Sequence, residues 1–458
     1  MRGVEQVDRK LLVPCIIYLI FFAVLNETVF NVSTPKIAEQ FNLTPAGVSW
    51  MMTIFMILFG IGSVLYGRLS DLYPLKRLIL WGILLYNAGS VMGFCLQKSY
   101  ALVLLARAVQ GVGASAIPAL IFTAAARYFP AEERGRIFGL LTATVSLAIG
   151  LGPVIGGFVS GSLHWSFLFL IPLAALFSIP FFNRALPDEA PRPGRVDLPG
   201  AALMALAVGS LVLVLNFGTW APLLAFVLFS AALVVRVRSA SEPFLPPALF
   251  ANVRFRSGVG VGLLLFSVVM GVLFLVPLML HNLHGLGTQA IGLVLFPGAI
   301  SSVFFGPWGG SLADRRGNPF VVALGLGLLV GGMLLMAWGL SLSCLVVSAC
   351  LLFIYVGFSL FQTALMNSVS QTLTPEETGV GMGVFNLAGI VSGALGTAVV
   401  GRVLAGSWLV SPLLPFEPAS GALYSNLLLG FSLAGILGGG LYLFQFREDQ
   451  AFSDGEAA

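Results

Sequence analysis

The chain has 458 residues, of which 58% are hydrophobic and only 9% are charged, and its mean hydropathy is +0.98. This composition excludes a water-soluble globular protein and is typical of a chain with many membrane-spanning segments. The net charge of +4 comes from basic residues spread over short loops, so it does not indicate a nucleic-acid-binding surface.

Apolar stretches of about 20 residues, each long enough to cross a hydrocarbon core of roughly 30 Å, recur along the whole chain. We therefore expect an all-α polytopic membrane protein. We predict fourteen membrane-spanning helices, centred near Phe22, Leu58, Ala88, Ala114, Ala148, Pro172, Gly209, Ala225, Gly271, Pro297, Gly331, Phe353, Ile390 and Gly435.

The basic residues predict the side of each loop, because Lys and Arg in short loops stay in the cytoplasm. Of the 23 Lys and Arg residues, only Lys36, Lys98 and Arg402 fall in the opposite set of loops, and Arg107 lies within a span. An even number of spans with this bias places both termini in the cytoplasm. The first apolar run reaches Asn31 without a signal-peptide cleavage pattern, so we expect a retained first helix.

Glu27 is the only carboxylate placed deep inside an apolar stretch. A charge at such a depth costs about 3 kcal/mol, so chains keep one where it faces water, binds a ligand or transfers protons. Arg107 lies in a second apolar span and stays charged, so it needs a carboxylate, a carbonyl group or a substrate as partner. We predict that Glu27 and Arg107 couple transport to protons, with a structural clamp as the alternative role of Arg107.

Four side-chain amides at membrane depth are candidate substrate ligands, with interhelical hydrogen bonding as the alternative role. They are Asn31, Gln110, Gln362 and Asn386. The cysteines and histidines lack the spacing of metal ligands, and no catalytic or phosphate-binding pattern is present. We therefore expect no enzyme activity, no resident metal or cofactor, and an ion or proton gradient as the energy source.

Two loops on the predicted cytoplasmic side repeat one arrangement: a glycine at a helix end, an acid one turn later, then cations in a tight turn. The first latch loop runs from Gly67 to Arg77 and the second from Gly310 to Gly317. A carboxylate so placed can accept hydrogen bonds at the N-terminus of a neighbouring helix and form a breakable latch. The recurrence indicates an internal repeat. The predicted latch residues are Gly67, Arg68, Asp71, Arg77, Asp314, Arg315 and Arg316.

The paired latch loops resemble the signature loop of the major facilitator superfamily. Three other segments resemble its fourth-helix motif, its fifth-helix antiporter motif and the first-helix motif of its fourteen-helix drug/proton antiporters: Leu105–Ala114, Gly150–Gly157 and Leu25–Pro35. Further segments look like the class K and class L tetracycline efflux proteins of that family: Leu25–Glu27, Ala126–Tyr128, His164–Ser166 and Leu423–Leu429.

The resemblance implies a major facilitator fold in the cell membrane, with six-helix bundles at 1–186 and 251–458 and two inserted transmembrane helices in the linker 187–250. It implies export of tetracycline as a divalent-metal chelate in exchange for protons, with the metal travelling as cargo. The partners are then the drug, protons and the lipid bilayer, without an obligate protein partner. The antiporter motif, which is thought to prevent leak, comprises Gly150, Gly152, Pro153, Gly156 and Gly157.

Two departures from that pattern keep other interpretations open. Ile149 and Gly393 stand where the tetracycline exporters carry membrane carboxylates, and Pro74 replaces the usual glycine of the first latch loop. The alternative is a multidrug or monovalent-cation/proton antiporter of the same architecture, followed by a proton-coupled uptake carrier. A non-transporting sensor would be expected to show disrupted motifs or an appended soluble domain.

Overall fold

The computed structural model describes residues 8–30, 33–43, 45–187, 189–191, 196–217, 219–240, 243–286, 288–340, 343–374, 377–405, 411–414 and 421–446. Within these ranges all regular secondary structure is helical. Fourteen helical segments of this part of the chain are long and apolar enough to cross a membrane. Each contains one predicted centre, so the prediction of fourteen spans is confirmed.

The helices of the first half precede residue 186. They are α1 (Arg9–Thr28), α2 (Thr34–Phe41), α3 (Pro45–Leu72), α4 (Leu75–Cys95), α5 (Tyr100–Tyr128), α6 (Ala131–Ser162), a 3₁₀ helix (Trp165–Ser178) and α7 (Ile179–Ala185). Two inserted helices follow, α8 (Leu198–Phe217) and α9 (Trp220–Ser239), and then the short α10 (Pro247–Ala251). The second half contains α11 (Val253–His284), α12 (Thr288–Arg316), α13 (Asn318–Gly339), α14 (Cys344–Gln371), α15 (Thr378–Ala405) and α16 (Ala422–Phe446).

Several helix boundaries follow from local side-chain chemistry. Asp8, Asn252 and Ser343 precede α1, α11 and α14, and each accepts a hydrogen bond from a backbone N–H of the first turn. Gly285 ends α11 with φ 63°, and Gly317 separates α12 from α13 with φ 81°. Such backbone angles favour glycine, which has no Cβ to clash, so both helices end at these positions.

The chain divides into two compact units. The first contains Met1–Pro130, Leu147–Ala251 and Leu373–Leu387. Its central helix is α5, which packs on α1, α3 and α4 and is buried over most of its length. A Cβ at Gly113 would overlap the backbone of Tyr86, so a glycine is needed for α4 and α5 to approach this closely.

The second unit contains Ala131–Ser146, Asn252–Thr372 and Ala388–Ala458. Here α14 has the central place and packs on α11, α12 and α13. Gly357 allows α14 to approach the backbone of α13 at Leu329, as Gly113 does for α5 and α4. The same packing pattern in both units indicates an internal repeat. The domain boundaries at residues 186 and 250 remain a prediction.

The inserted helices α8 and α9 pack on each other, and α8 also packs on α3. No residue of α9 is buried, and Trp220 at its start is 77% exposed. A helix that is apolar over most of its surface and packs mainly on one other helix is suited to contact with lipid.

Asp197 ties the ends of this helical hairpin together. Its carboxylate accepts hydrogen bonds from Arg236 Nε at 3.0 Å, from Gly200 N at 3.1 Å and from Phe244 N at 3.3 Å. Burial raises the pKa of Asp197, but these hydrogen bonds and the charge of Arg236 outweigh burial and hold that pKa below its usual range. The carboxylate is therefore charged at neutral pH and fixes α8 to α9.

Candidate functional site

Glu27 lies at the end of a helix that stops inside the first apolar run. α1 ends at Thr28, whereas the run continues to Asn31, and α2 begins at Thr34 with a proline in its first turn. Proline is favoured in the first turn of a helix, where its missing N–H would have no intrahelical partner, so Pro35 fits the start of a new helix. The half-buried Glu27 therefore sits at the C-terminal end of α1, where the helix dipole favours a positive charge or a proton.

Arg107 on α5 is completely buried. Its Nε donates to the carbonyl oxygen of Met51 at 3.3 Å, and its Nη1 donates to Gln110 Oε1 at 3.1 Å. The guanidinium lies over the rings of Phe30 and Phe55, 4.6 and 4.1 Å from their centroids. Its charge also acts on Glu27. Nη2 has no hydrogen-bond partner in the described part of the chain, so Arg107 keeps one donor for water or a ligand.

Gln110 connects Arg107 to α4. Its Nε2 donates to Ser90 Oγ at 2.8 Å, and Ser90 Oγ donates to the carbonyl oxygen of Tyr86 at 3.0 Å. Tyr86 in turn donates to the carbonyl oxygen of Phe22 on α1 at 3.2 Å. Both ends of the Gln110 amide are thus engaged by protein groups, which fits interhelical hydrogen bonding.

The other amides differ from Gln110 in their partners. Gln362 on α14 and Asn386 on α15 are half-buried. Among the described residues, Gln362 Oε1 and Asn386 Nδ2 have no hydrogen-bond partner. Asn31 lies outside the described residues. Asn26, which lies in the first-helix motif but was assigned no role from the sequence, is fully buried beside Glu27, and neither of its amide atoms is hydrogen-bonded within the described part of the chain.

The first latch loop joins α3 to the first turn of α15. Asp71 Oδ1 accepts a hydrogen bond from Gly379 N at 3.1 Å, and Asp71 Oδ2 accepts one from Val380 N at 3.2 Å. A Cβ at Gly67 would overlap the carbonyl oxygen of Gly379, so glycine is needed for this approach. Arg68 Nε has no hydrogen-bond partner in the described residues, and Arg77 is exposed.

The second latch loop makes the corresponding contact between α12 and α6. The two oxygens of Asp314 accept hydrogen bonds from Gly135 N and Arg136 N, each at 3.1 Å. Arg315 and Arg316 are exposed, and the guanidinium of Arg316 lies 5.2 Å from the ring centroid of Phe320. Both loops therefore bind a pair of backbone N–H groups of another helix.

The antiporter motif packs α6 against the end of α1. A Cβ at Gly152 would overlap Thr28, and one at Gly156 would overlap the carbonyl oxygen of Val29. Gly150 is half-buried, a Cβ at Gly157 would meet no heavy atom within 4 Å, and the side chain of Pro153 lies outside the described part of the chain. The motif thus contacts α1 directly after Glu27.

The two positions at which the tetracycline exporters carry membrane carboxylates both lie in the described part of the chain. Ile149 is 38% exposed, and a Cβ at Gly393 would meet no heavy atom within 4 Å. Since isoleucine and glycine are uncharged, neither position supplies the carboxylate that the tetracycline exporters have there. Among the described residues no group of three or more His, Cys, Asp or Glu side chains could hold a metal ion.

Comparison with known proteins decides the family. The family model described as Major Facilitator Superfamily matches residues 16–397. The chain belongs to the major facilitator superfamily. Its members are membrane transporters, so this major facilitator protein is a multi-pass transporter and not an enzyme.

Curated members of the superfamily resemble the chain over most of its length. The multidrug resistance protein Stp of Mycobacterium tuberculosis is 27% identical, with 86% of this chain and 76% of Stp covered. The riboflavin transporter RibZ of Clostridioides difficile is 26% identical (83% and 84% covered), and the multidrug transporter protein MdtP of Bacillus subtilis is 26% identical (90% and 79% covered).

Solved structures show the same fold. The human organic anion transporter MFSD10 (TETRAN) has a TM-score of 0.69 at 18% identity, with 95% of this chain and 100% of that chain covered. The proton:xylose symporter XylE has a TM-score of 0.67 at 14% identity, with 95% of each chain covered. The predicted major facilitator fold is therefore confirmed.

Proposed function

We propose that this transporter exports drugs from the cytoplasm in exchange for protons, and that Glu27 carries the proton. The observation on which the proposal rests is the position of Glu27 at the end of the interrupted helix α1, under the electrostatic influence of the buried Arg107. Among the described residues no cation lies within ion-pair distance of Glu27. A carboxylate at membrane depth without a contacting cation is a group suited to exchanging a proton.

Arg107 supports this role because it is held in place by neutral groups. The carbonyl group of Met51, the amide of Gln110 and two aromatic rings fix the guanidinium, so its positive potential at Glu27 is constant. The protonation of Glu27 then depends on water access and on the substrate. A cationic substrate that reaches Glu27 displaces the proton, and this competition makes the transport an exchange.

The latches and the antiporter motif fit alternating access. Asp71 and Asp314 each hold a helix through two hydrogen bonds, which can break and re-form as the access side changes. Gly152 and Gly156 keep α6 against the residues that follow Glu27, which is a suitable place to prevent leak. We place the protein in the cell membrane with both termini and both latch loops in the cytoplasm.

As substrate we propose tetracycline chelated to a divalent metal, because of the segments that resemble class K and class L efflux proteins. The metal is then cargo, and the protein needs no resident metal or cofactor. The similarity to the multidrug proteins Stp and MdtP favours the alternative of a wider range of drugs, and a monovalent cation is a further alternative. Asn31, Gln362 and Asn386 are the proposed hydrogen-bonding groups for a drug.

Everted membrane vesicles that are acidified inside provide the test. Tetracycline with magnesium, tetracycline with a chelator, ethidium and sodium are added separately, and proton release from the lumen is recorded. A response to tetracycline that requires magnesium supports the chelate. A response to ethidium or sodium alone moves the assignment to the corresponding alternative, and the absence of every response contradicts proton-coupled export.

A further inference from the structure

A cavity of about 210 Å³ lies beside the first latch loop, and its wall includes Glu189, which no sequence motif singled out. Arg127 reaches it from the end of α5, and Glu189 reaches it from the segment after α7. Asp71 and Ser70 of α3 also line the cavity. The cavity therefore brings two carboxylates and one guanidinium together next to the contact that holds α15.

Arg127 is shared between the two carboxylates. Both of its terminal nitrogens donate to the carbonyl oxygen of Ser70 at 3.2 Å. Nη2 lies 3.6 Å from Asp71 Oδ1, and Nη1 lies 3.9 Å from Glu189 Oε2. Neither distance is that of a direct hydrogen bond. Arg127 therefore lies between the two carboxylates without a direct hydrogen bond to either.

Glu189 also fixes the start of α4. Its Oε2 accepts a hydrogen bond from Leu75 N at 3.3 Å, and its Oε1 accepts one from the Tyr128 hydroxyl at 2.7 Å. Pro74, at the N-cap of α4, has no side chain that can accept such a bond. A negative charge at a helix N-terminus is favourable, so the segment after α7 supplies the cap that the loop itself lacks.

We propose that Glu189 is a positioning residue of the first latch. Its charge draws Arg127 away from a direct bond with Asp71, so that both Asp71 oxygens remain available to Gly379 and Val380. When α15 leaves, Asp71 loses these donors and Arg127 moves to Asp71. The segment after α7 thereby takes part in opening and closing the latch. This inference rests on the proposed gating role of the latch.

The test measures the α3–α15 contact directly, without a substrate. Val64 on α3 is buried, and a Cβ added to Gly383 of α15 would lie 3.0 Å from the Val64 Cα, so the two helices touch at this point. A cysteine at position 64 is therefore shielded from maleimide while this contact is closed. Val64→Cys is made in a background in which the native cysteines are serine, and maleimide labelling is timed in everted vesicles. The replaced cysteines are Cys15, Cys95, Cys344 and Cys350.

Glu189→Gln is the informative variant, because glutamine removes the charge, keeps one oxygen to accept from Leu75 N and can donate its amide N–H to the Tyr128 hydroxyl. We expect labelling to become about two- to fivefold faster, the range for a partly exposed ion pair. Glu133→Gln, which changes an exposed carboxylate outside this cavity, is the control and should leave the rate unchanged. If Glu189 acts through Arg127, Glu189→Gln has no further effect in an Arg127→Gln background.

An unchanged labelling rate in Glu189→Gln, or effects of the two substitutions that simply add, overturns the proposal. The readout is separate from the proposed function, because labelling requires neither drug nor protons. Faster labelling together with absent drug-dependent proton release would retain the role of Glu189 and reject drug/proton exchange. Normal proton release with unchanged labelling would retain drug/proton exchange and reject the role of Glu189.

Discussion

Replacing Asp71 by asparagine is expected to weaken the contact between α3 and α15 strongly. The side chain of Asp71 is 4% exposed, and its two oxygens accept hydrogen bonds from Gly379 N and Val380 N at 3.1 and 3.2 Å. Asparagine can accept only one of these bonds and turns its own N–H groups toward the other donor. A charge-assisted hydrogen bond contributes about 1.5–3 kcal/mol, and a charge at a helix N-terminus about 0.5–1 kcal/mol.

The closed contact should therefore lose about 2–4 kcal/mol, which shifts the open-to-closed ratio roughly 30- to 1000-fold. The assay is maleimide labelling of Val64→Cys, with Glu133→Gln as the control. Asp314→Asn removes the corresponding contact of α12 with α6, and it should act in the same direction on that helix pair. Its effect should be smaller, since Asp314 is only half-buried. Labelling of Val64→Cys that is unchanged by Asp71→Asn would refute this reasoning.

Gly156→Val places a side chain on the carbonyl group of Val29 and should abolish transport at normal expression. Gly157→Val, next to open space, should remain active. Equal activity of the two variants would contradict the close packing of α6 on α1. Gln362→Ala should raise the KM for a hydrogen-bonding drug about tenfold, the effect of one lost hydrogen bond, and an unchanged KM would remove Gln362 from the binding site. Asp197→Asn should lower the melting temperature at pH 7. Because the pKa of Asp197 is lowered in the folded protein, its contribution is fully present above the ordinary carboxyl pKa of about 3.9, begins to decline below that value and is lost as the pH falls through the lowered pKa of the folded state, so the difference from wild type should shrink progressively as the pH falls below about 3.9. A difference that is constant with pH would contradict this account.

The sequence predicted the fold well because membrane spans depend on a local property. Each apolar run of about 20 residues must form its own backbone hydrogen bonds in lipid, so length and hydropathy alone locate a helix. The repeated latch loops also predicted acids at helix ends, and Asp71 and Asp314 do accept backbone N–H groups. The end of α1 was not predicted, since apolarity continues past Thr28 and a proline alone does not mark a helix end, as Pro14 inside α1 shows.

The partners of the site residues could not be predicted from local patterns. Asp71 and Gly379 are 308 positions apart, and Leu75 and Glu189 are 114 positions apart, so no short-range periodicity links them. Gln110 illustrates a second limit. A polar residue at membrane depth has the same sequence pattern whether it binds a drug or a neighbouring helix, and only its contacts with Arg107 and Ser90 distinguish the two.

The most direct test of proton exchange through Glu27 is drug-dependent proton release in everted vesicles that contain Glu27→Gln. Glu39→Gln, which neutralises an exposed carboxylate on α2, is the matched control. Drug binding to the purified Glu27→Gln variant confirms that it is folded. We expect Glu27→Gln to bind the drug without releasing protons while Glu39→Gln behaves as wild type. Wild-type proton release by folded Glu27→Gln would contradict the central role of this carboxylate.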